Sequence, residues 1–447
     1  MSSFFQDAPT LVEMLGHRAT YLRDENAFTY LVDGEDDAIH QSFGELDLRA
    51  RAIGAALQER GLARQRVLLL FPPGLDFIAA FFGCLYGGVV AVTAYPPRKN
   101  RSLERVEAIV DDADARLALT TSVVHKRVGP MLEETPALKT IDWLSTDSLP
   151  DTLADQWNVP DISGDTLAFL QYTSGSTGVP KGVMLTHANL LHNLALIGYS
   201  FEHTRSTQGV FWLPSYHDMG LVGGILQPLY KGRSNVLMSP MAFLQQPVRW
   251  LRAISTYRAT TSGGPNFAYD LCVQRITPEQ REGLDLSSWQ VAFNGAEPVR
   301  EDTLREFTRI YEPYGFSPEA FYPCFGLAEA TLIVSGGEKT KLPIFATFRA
   351  SGLEVGRVES AESGEDDSRT LVSSGHCLPD QHAEIVDPET FSRCADDEIG
   401  EIWVKGPSVA MGYWKRPAET EATFQGTLVN TGESGFLRTG DLGFFHE

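Results

Sequence analysis

Helical and extended patterns alternate along most of this chain, and that alternation limits the folds open to it more than any other feature. Ser42-Phe43-Gly44-Glu45 is a capping box, with Ser at the N-cap and Glu three residues on. Leu46, Ala50, Ile53 and Leu57 then recur at helical spacing, and Gly61 closes the helix. Arg66 to Phe71 reads as a buried strand, and Pro72-Pro73-Gly74 breaks the chain before the next helix. Further on, Pro247 to Tyr257 reads as a helix, Ala259 to Ser262 as a strand and Gly263-Gly264-Pro265 as a turn. The alternation runs past Arg300 and predicts an α/β fold with parallel, doubly wound sheets. After about Ser335 short strand-like runs take over, such as Ala383 to Val386 and Glu401 to Lys405, which predicts a small barrel or distorted sheet.

At 447 residues the chain is too long for one ordinary core. Its formal charge of −21 repels nucleic acid and anionic lipid, so neither is expected as a partner. The same charge repels small polyanions, so any site for one must create its own positive field. Cys84, Cys272, Cys324, Cys377 and Cys394 form no CxxC pair and are odd in number, which predicts reduced thiols in a cytosolic protein and no zinc site. Met1 to Ala19 carries neither a basic start nor an apolar run, so no signal peptide is expected. Phe77 to Tyr95 has no charged residue, but Gly83, Gly87 and Gly88 interrupt it. It reads as a buried helix up to Tyr86, a Gly-Gly turn and a strand from Val89 to Thr93 rather than as a membrane span.

The strongest chemical signal is Thr173-Ser174-Gly175-Ser176-Thr177-Gly178-Val179-Pro180-Lys181-Gly182. Glycines let successive backbone amides turn inward as an anion nest, four hydroxyls add donors and Lys181 adds a full charge. The set suits a polyphosphate. It is not a Walker A loop, because Pro180 precedes the lysine and Gly182 follows it. The flanks also differ: Leu167 to Tyr172 and Val183 to Leu185 both read as strands, and a helix starts only near Thr186. A kinase of the P-loop type is therefore disfavoured.

This run resembles the signature loop of adenylate-forming enzymes, a superfamily of acyl-CoA synthetases, luciferases, peptide-synthetase adenylation domains and fatty acyl-AMP ligases. Further motifs follow in the family's order. Asn294-Gly295-Ala296-Glu297-Pro298 resembles the segment whose backbone lies along one face of adenine. Tyr322-Pro323-Cys324-Phe325-Gly326-Leu327-Ala328-Glu329-Ala330-Thr331 resembles the aromatic-Gly-x-Thr-Glu motif. The resemblance implies that Phe325, Gly326, Leu327 and Ala328 contact the nucleotide, Phe325 by stacking, and that Glu329 holds Mg²⁺. Phe325 stands where Tyr is usual and Ala328 where Thr is usual; the second departure is common in the fatty acyl-AMP ligase branch. Thr439-Gly440-Asp441 resembles the motif whose Asp accepts both ribose hydroxyls. Taken singly, Phe325 reads better as a core aromatic and Glu329 as a helix-start carboxylate, and an aspartate such as Asp441 is common in turns; the shared order carries the assignment.

Trp212-Leu213-Pro214-Ser215-Tyr216-His217-Asp218-Met219-Gly220 resembles the carboxylate-side motif, which implies that His217, with Met219 and Gly220, lies near the reacting acid. Ser262 to Tyr269 resembles the segment lining the acyl tunnel, which implies that Gly263, Gly264 and Phe267 face the fatty chain. Ala94-Tyr95-Pro96-Pro97-Arg98, the His-Asp-Met-Gly sequence and a stretch from about Gly337 to Thr370 all favour the fatty acyl-AMP ligase branch over the acyl-CoA ligases. That stretch sits where the branch carries an insertion that hinders thioester formation with CoA, and Leu342, Ile344, Phe345 and Phe348 read as its apolar anchors.

The resemblance implies two doubly wound α/β subdomains packed together, 1–60 with 195–335 and 61–194, plus a β-barrel-like subdomain at 336–447. It implies ATP and Mg²⁺, a fatty acid substrate, and the phosphopantetheine thiol of an acyl carrier protein as acceptor. Lys181, Thr173, His217 and Glu329 would carry catalysis. Relatives continue into a small C-terminal domain bearing a second lysine; the sequence stops at Glu447, so slow adenylation is expected of it. A fatty acyl-CoA ligase and a non-catalytic nucleotide- or acyl-binding module remain as alternatives.

Overall fold

The computed structural model describes residues 8–95, 103–132, 135–173 and 180–446. They form two compact units: Met1–Ala195 with Phe211–Ala242 and Tyr413–Lys415, and Leu196–Val210 with Phe243–Gly412 and Arg416–Glu447. The three-region division read from the sequence is drawn on other lines and remains a proposal.

The first unit is built on a six-stranded sheet in the order Asp142–Ser145, Leu117–Thr120, Arg66–Leu69, Val90–Thr93, Leu167–Thr173, Lys181–Thr186. All neighbours run parallel except the last pair, which is antiparallel. The expected capping box is present: Ser42 Oγ accepts from the Glu45 amide and the Glu45 carboxylate accepts from the Ser42 amide, at the head of helix Phe43–Glu59. The uncharged run resolves as read, into helix Leu75–Tyr86 and strand Val90–Thr93, with Gly88 supplying a positive φ between them. No helix among the described residues is long and apolar enough to cross a membrane. The unit also holds the strands Asn235–Met238, Asn26–Leu31 and Ala38–Ser42, paired in that order. Arg18, only 2% exposed, donates through Nε to the Leu229 carbonyl at 3.0 Å and also bonds the Tyr230 carbonyl. It thereby satisfies open carbonyls at the end of helix Gln227–Lys231.

The second unit carries parallel strands Thr261–Gly263, Val291–Asn294 and Phe321–Gly326, with Gly209 paired to Thr261, extended by antiparallel Ile333–Gly336 and His376–Cys377. Its core is aromatic. Trp250, Tyr269, Trp289, Phe307, Phe316 and Phe321 meet mostly edge to face at centroid distances between 4.9 and 6.3 Å. The change of texture after Ser335 becomes antiparallel pairing: a hairpin of Phe345–Arg349 with Ser368–Val372, then a four-stranded sheet ordered His382–Val386, Gly400–Lys405, Ser434–Gly443, Gly426–Thr427. Of the four expected anchors of the 337–370 stretch, Phe348 is buried and meets Phe444 edge-on at 5.2 Å, and Phe345 lies under Arg305. Leu342 and Ile344 do not anchor it; they stand 60% and 61% exposed because they precede the hairpin instead of lying in it.

Candidate functional site

The phosphate-loop residues Ser174, Gly175, Ser176, Thr177 and Gly178 lie outside the described residues, and so do Pro96, Pro97 and Arg98. What holds the loop's two ends is described. Thr173 pairs with Lys181, and Tyr172 with Gly182, in an antiparallel ladder. The two flanking strands are therefore antiparallel partners, whereas a Walker A loop passes from a strand directly into a helix; the helix here, His187–Ser200, starts only after the second strand. Tyr172 packs closely on Gly182: a Cβ there would lie 3.0 Å from the ring's Cζ. Tyr172 is itself tied down, its hydroxyl donating to Asp112 at 2.7 Å. Lys181 Nζ sits 5.0 Å from the centroid of the Tyr413 ring.

His217 and its neighbours adjoin this hairpin. Gln171, on the strand that ends at Thr173, donates through Nε2 to the Tyr216 carbonyl at 3.0 Å. Tyr95 meets Tyr216 edge-on at 4.8 Å, so the described part of the early branch motif lies in the same place. His217 Nδ1 is 2.6 Å from Asp218 Oδ1, which also accepts from the Met219 amide at 2.6 Å. Burial pulls the imidazole down, but the adjacent Asp218 carboxylate outweighs it and holds His217 above its ordinary value. Gly220 has no substitute, because a Cβ would overlap the Pro214 carbonyl. Met219–Leu226 then winds as a wide π-type helix, a form that recurs at functional sites.

In the second unit three expected segments meet at the carboxyl ends of adjacent parallel strands. Gly263 pairs with Phe293, Phe293 with Tyr322 and Asn294 with Pro323. The acyl-side residues Gly263 and Gly264, the adenine-side residues Asn294, Gly295, Ala296 and Glu297, and the motif Phe325-Gly326-Leu327-Ala328 are thus side by side. Ligands of parallel α/β sheets bind at such ends. Local packing is tight. The Gly264 amide donates to the Phe293 carbonyl at 3.0 Å. A Cβ on Gly295 would lie 2.9 Å from the Cys324 carbonyl, and one on Gly326 would overlap that of Leu332. Ala296 and Thr331 both take positive φ, 71° and 72°. For the β-branched Thr331 this is a costly conformation, held by its hydroxyl donating to the Ser408 carbonyl at 2.6 Å. Glu329, half-buried in the turn Ala328–Ala330, accepts from the Ala410 amide at its own carbonyl. Phe267 is 43% exposed near the start of helix Asn266–Arg275.

Thr439-Gly440-Asp441 forms a break in strand Ser434–Gly443, whose register against Gly400–Lys405 shifts between Glu401 and Trp403. The buried Glu401 carboxylate accepts from the Gly440 amide at 3.0 Å and from Trp403 Nε1 at 3.0 Å, and pairs with Arg438. Thr439 Oγ1 donates to the Ile402 carbonyl and accepts from the Asp441 amide. Desolvation, with Glu401 nearby, raises the Asp441 carboxyl above its usual value. Asp441 itself is exposed. Sequence reasoning passed over Glu401 and Tyr413 as partners, because both act through pairings distant in the chain. Among the described residues no group of three or more His, Cys, Asp or Glu could hold a metal ion.

A family model described as AMP-binding enzyme matches residues 16–414. The chain is 46% identical to the medium-chain-fatty-acid–[acyl-carrier-protein] ligase JamA of Moorena producens, over 98% of this chain and 75% of that one. It is 34% identical to the long-chain-fatty-acid–AMP ligase FadD32 of Mycolicibacterium smegmatis, over 99% of this chain and 73% of that one. Among solved structures, a fatty acyl-adenylate ligase from L. pneumophila in complex with acyl adenylate and pyrophosphate superposes with a TM-score of 0.94 at 44% identity, covering 100% of this chain and 77% of that one.

Proposed function

Because the chain belongs to the AMP-binding enzyme family, and within it to the fatty acyl-AMP ligases, we propose that it joins a fatty acid to AMP and hands the acyl group to an acyl carrier protein. A carboxylate oxygen attacks the α-phosphorus of ATP, the bond to the bridging oxygen breaks and pyrophosphate leaves. The phosphopantetheine thiol of the carrier then attacks the acyl carbonyl and AMP departs. The observation that carries this reading is the alignment of Gly263, Asn294 and Phe325 on neighbouring strand ends, beside the similarity to an acyl-adenylate-bound ligase. JamA's name supports the carrier protein as acceptor.

A carboxylate approaching a polyanion needs charge neutralisation and in-line placement more than a base, since it is already ionised at pH 7. Lys181, Thr173 and the loop Ser174, Gly175, Ser176, Thr177 and Gly178 would hold the phosphates. Asn294, Gly295, Ala296 and Glu297 would flank adenine, Phe325 would stack on it, with Gly326, Leu327 and Ala328 beside it, and Asp441 would take the ribose hydroxyls. His217 would orient the carboxylate, with Met219, Gly220, Gly263, Gly264 and Phe267 along the acyl chain. Glu329 suits Mg²⁺: one half-buried carboxylate is what an ion held mainly by phosphates requires, and the ion would neutralise phosphate charge. All five cysteines are free, which fits a cytosolic setting. The hairpin built on Phe345–Arg349 would be the insertion that disfavours CoA.

The test offers carrier protein and CoA in parallel, with ATP and a fatty acid. Acyl-carrier protein should accumulate and acyl-CoA should not; abundant acyl-CoA would show a CoA ligase instead. Lys181→Ala should slow acyl-adenylate formation on the order of 100-fold or more. An unchanged rate would show that Lys181 has no catalytic task, and no acyl-adenylate from the parent would point to a binding module.

A further inference from the structure

The fold brings a short piece of late chain, Tyr413–Lys415, into the first unit. Tyr413 pairs antiparallel with Val183, and the Trp414 amide donates to the Gly182 carbonyl at 2.8 Å. The piece thus covers the outer edge of strand Lys181–Thr186, a row of backbone groups that would otherwise stay open. It is pinned further along. Arg66 stacks over the Trp414 ring at 5.1 Å, and Lys415 forms an ion pair with Asp114.

This pairing fixes the register of one ring against one ammonium. Lys181 and Val183 point to the same face of their strand, so Tyr413, opposite Val183, is the diagonal cross-strand neighbour of Lys181. Its ring, 7% exposed, lies with its centroid 5.0 Å from Lys181 Nζ. A carboxylate in that position would hold the lysine equally well but cancel the charge that a polyphosphate needs. An aromatic face holds an ammonium through its quadrupole and leaves the full positive charge available.

We propose that Tyr413 is a positioning residue for the phosphate-binding lysine, its ring face restricting Lys181 to a small part of its conformational range without neutralising it. The proposal rests on the reading of Lys181 as a nucleotide phosphate ligand. It differs from a purely structural role in one respect: the ring face matters, and it matters only while Lys181 is present.

The experiment measures MgATP and fatty acid affinities by calorimetry, with unfolding midpoints, for Tyr413→Phe, Tyr413→Leu, Tyr413→Met, Lys181→Ala and the Tyr413→Leu/Lys181→Ala pair. Tyr413→Phe should bind MgATP within about two-fold of the parent, because the ring face survives. Tyr413→Leu should weaken MgATP by about three- to thirty-fold with fatty acid affinity unchanged. In the double variant that loss should vanish against the Lys181→Ala background. Should Tyr413→Leu lower the unfolding midpoint sharply, Tyr413→Met, closer in volume, takes its place in the cycle. The proposal is overturned if Lys181→Ala weakens MgATP while Tyr413→Leu or Tyr413→Met does not, or if the Tyr413 loss persists in full without Lys181. If Lys181→Ala itself leaves MgATP affinity intact, the phosphate reading of Lys181 fails, and this inference falls with it.

Discussion

His187, 2% exposed, accepts the Leu11 amide on Nδ1 at 3.2 Å, and burial holds its imidazole down to about 4. The neutral ring is therefore the one the fold accommodates. Its ordinary value is 6.5, so the unfolded chain takes up a proton below that pH while the folded chain does not. This contribution to stability is complete above pH 6.5, shrinks as the pH falls toward 4 and is gone below it. The span corresponds to up to about 3 kcal/mol. Denaturant midpoints between pH 7 and 4.5 should fall more steeply for the parent than for His187→Asn, which keeps an acceptor but does not titrate. Equal slopes would show that the ring is not buried neutral. His217, by contrast, is exposed and lies next to the Asp218 carboxylate, which holds it above its ordinary value.

At the scale of elements, the antiparallel pair Leu167–Thr173 and Lys181–Thr186 flanks the proposed phosphate loop. Gly182 lets Tyr172 lie across the pair, and Asp112 keeps that ring from swinging away. Gly182→Ala should lower the unfolding free energy by about 1–3 kcal/mol, as overpacking against a fixed ring does. A denaturant curve coincident with the parent's would contradict that picture. This element was legible in the sequence: Val183 to Leu185 reads as a strand before the helix, which already distinguishes the loop from a Walker A loop. The capping box at Ser42 and the helix–turn–strand between Phe77 and Thr93 were legible for the same reason, since each is decided by neighbours a few residues away. Side-by-side strands were not. That Asn294 lies against Pro323, or Val183 against Tyr413, depends on pairing between distant segments, and no local pattern encodes it. The exposed Leu342 and Ile344 show the converse limit, because apolar character marks a candidate for burial and not the partner that would bury it.

Across the whole molecule the order of motifs carried more than any single motif. Phe325 alone is a plausible core aromatic; beside Asn294 on the next strand end it lies at the carboxyl edge of parallel strands, where ligands of such sheets bind. The net charge of −21 makes the same point from the outside, for a polyanion comes to such a surface only where local positive charge opposes the general field. The most direct measurement of the account is mass spectrometry of the small molecules recovered after the chain is incubated with ATP, Mg²⁺, CoA and a ladder of fatty acids. Acyl-adenylate and pyrophosphate should be recovered, with at least about one acyl-adenylate per chain even if turnover is slow, since a ligand-complementary site retains its intermediate. ATP cleaved to ADP, or acyl-CoA in place of acyl-adenylate, would contradict it.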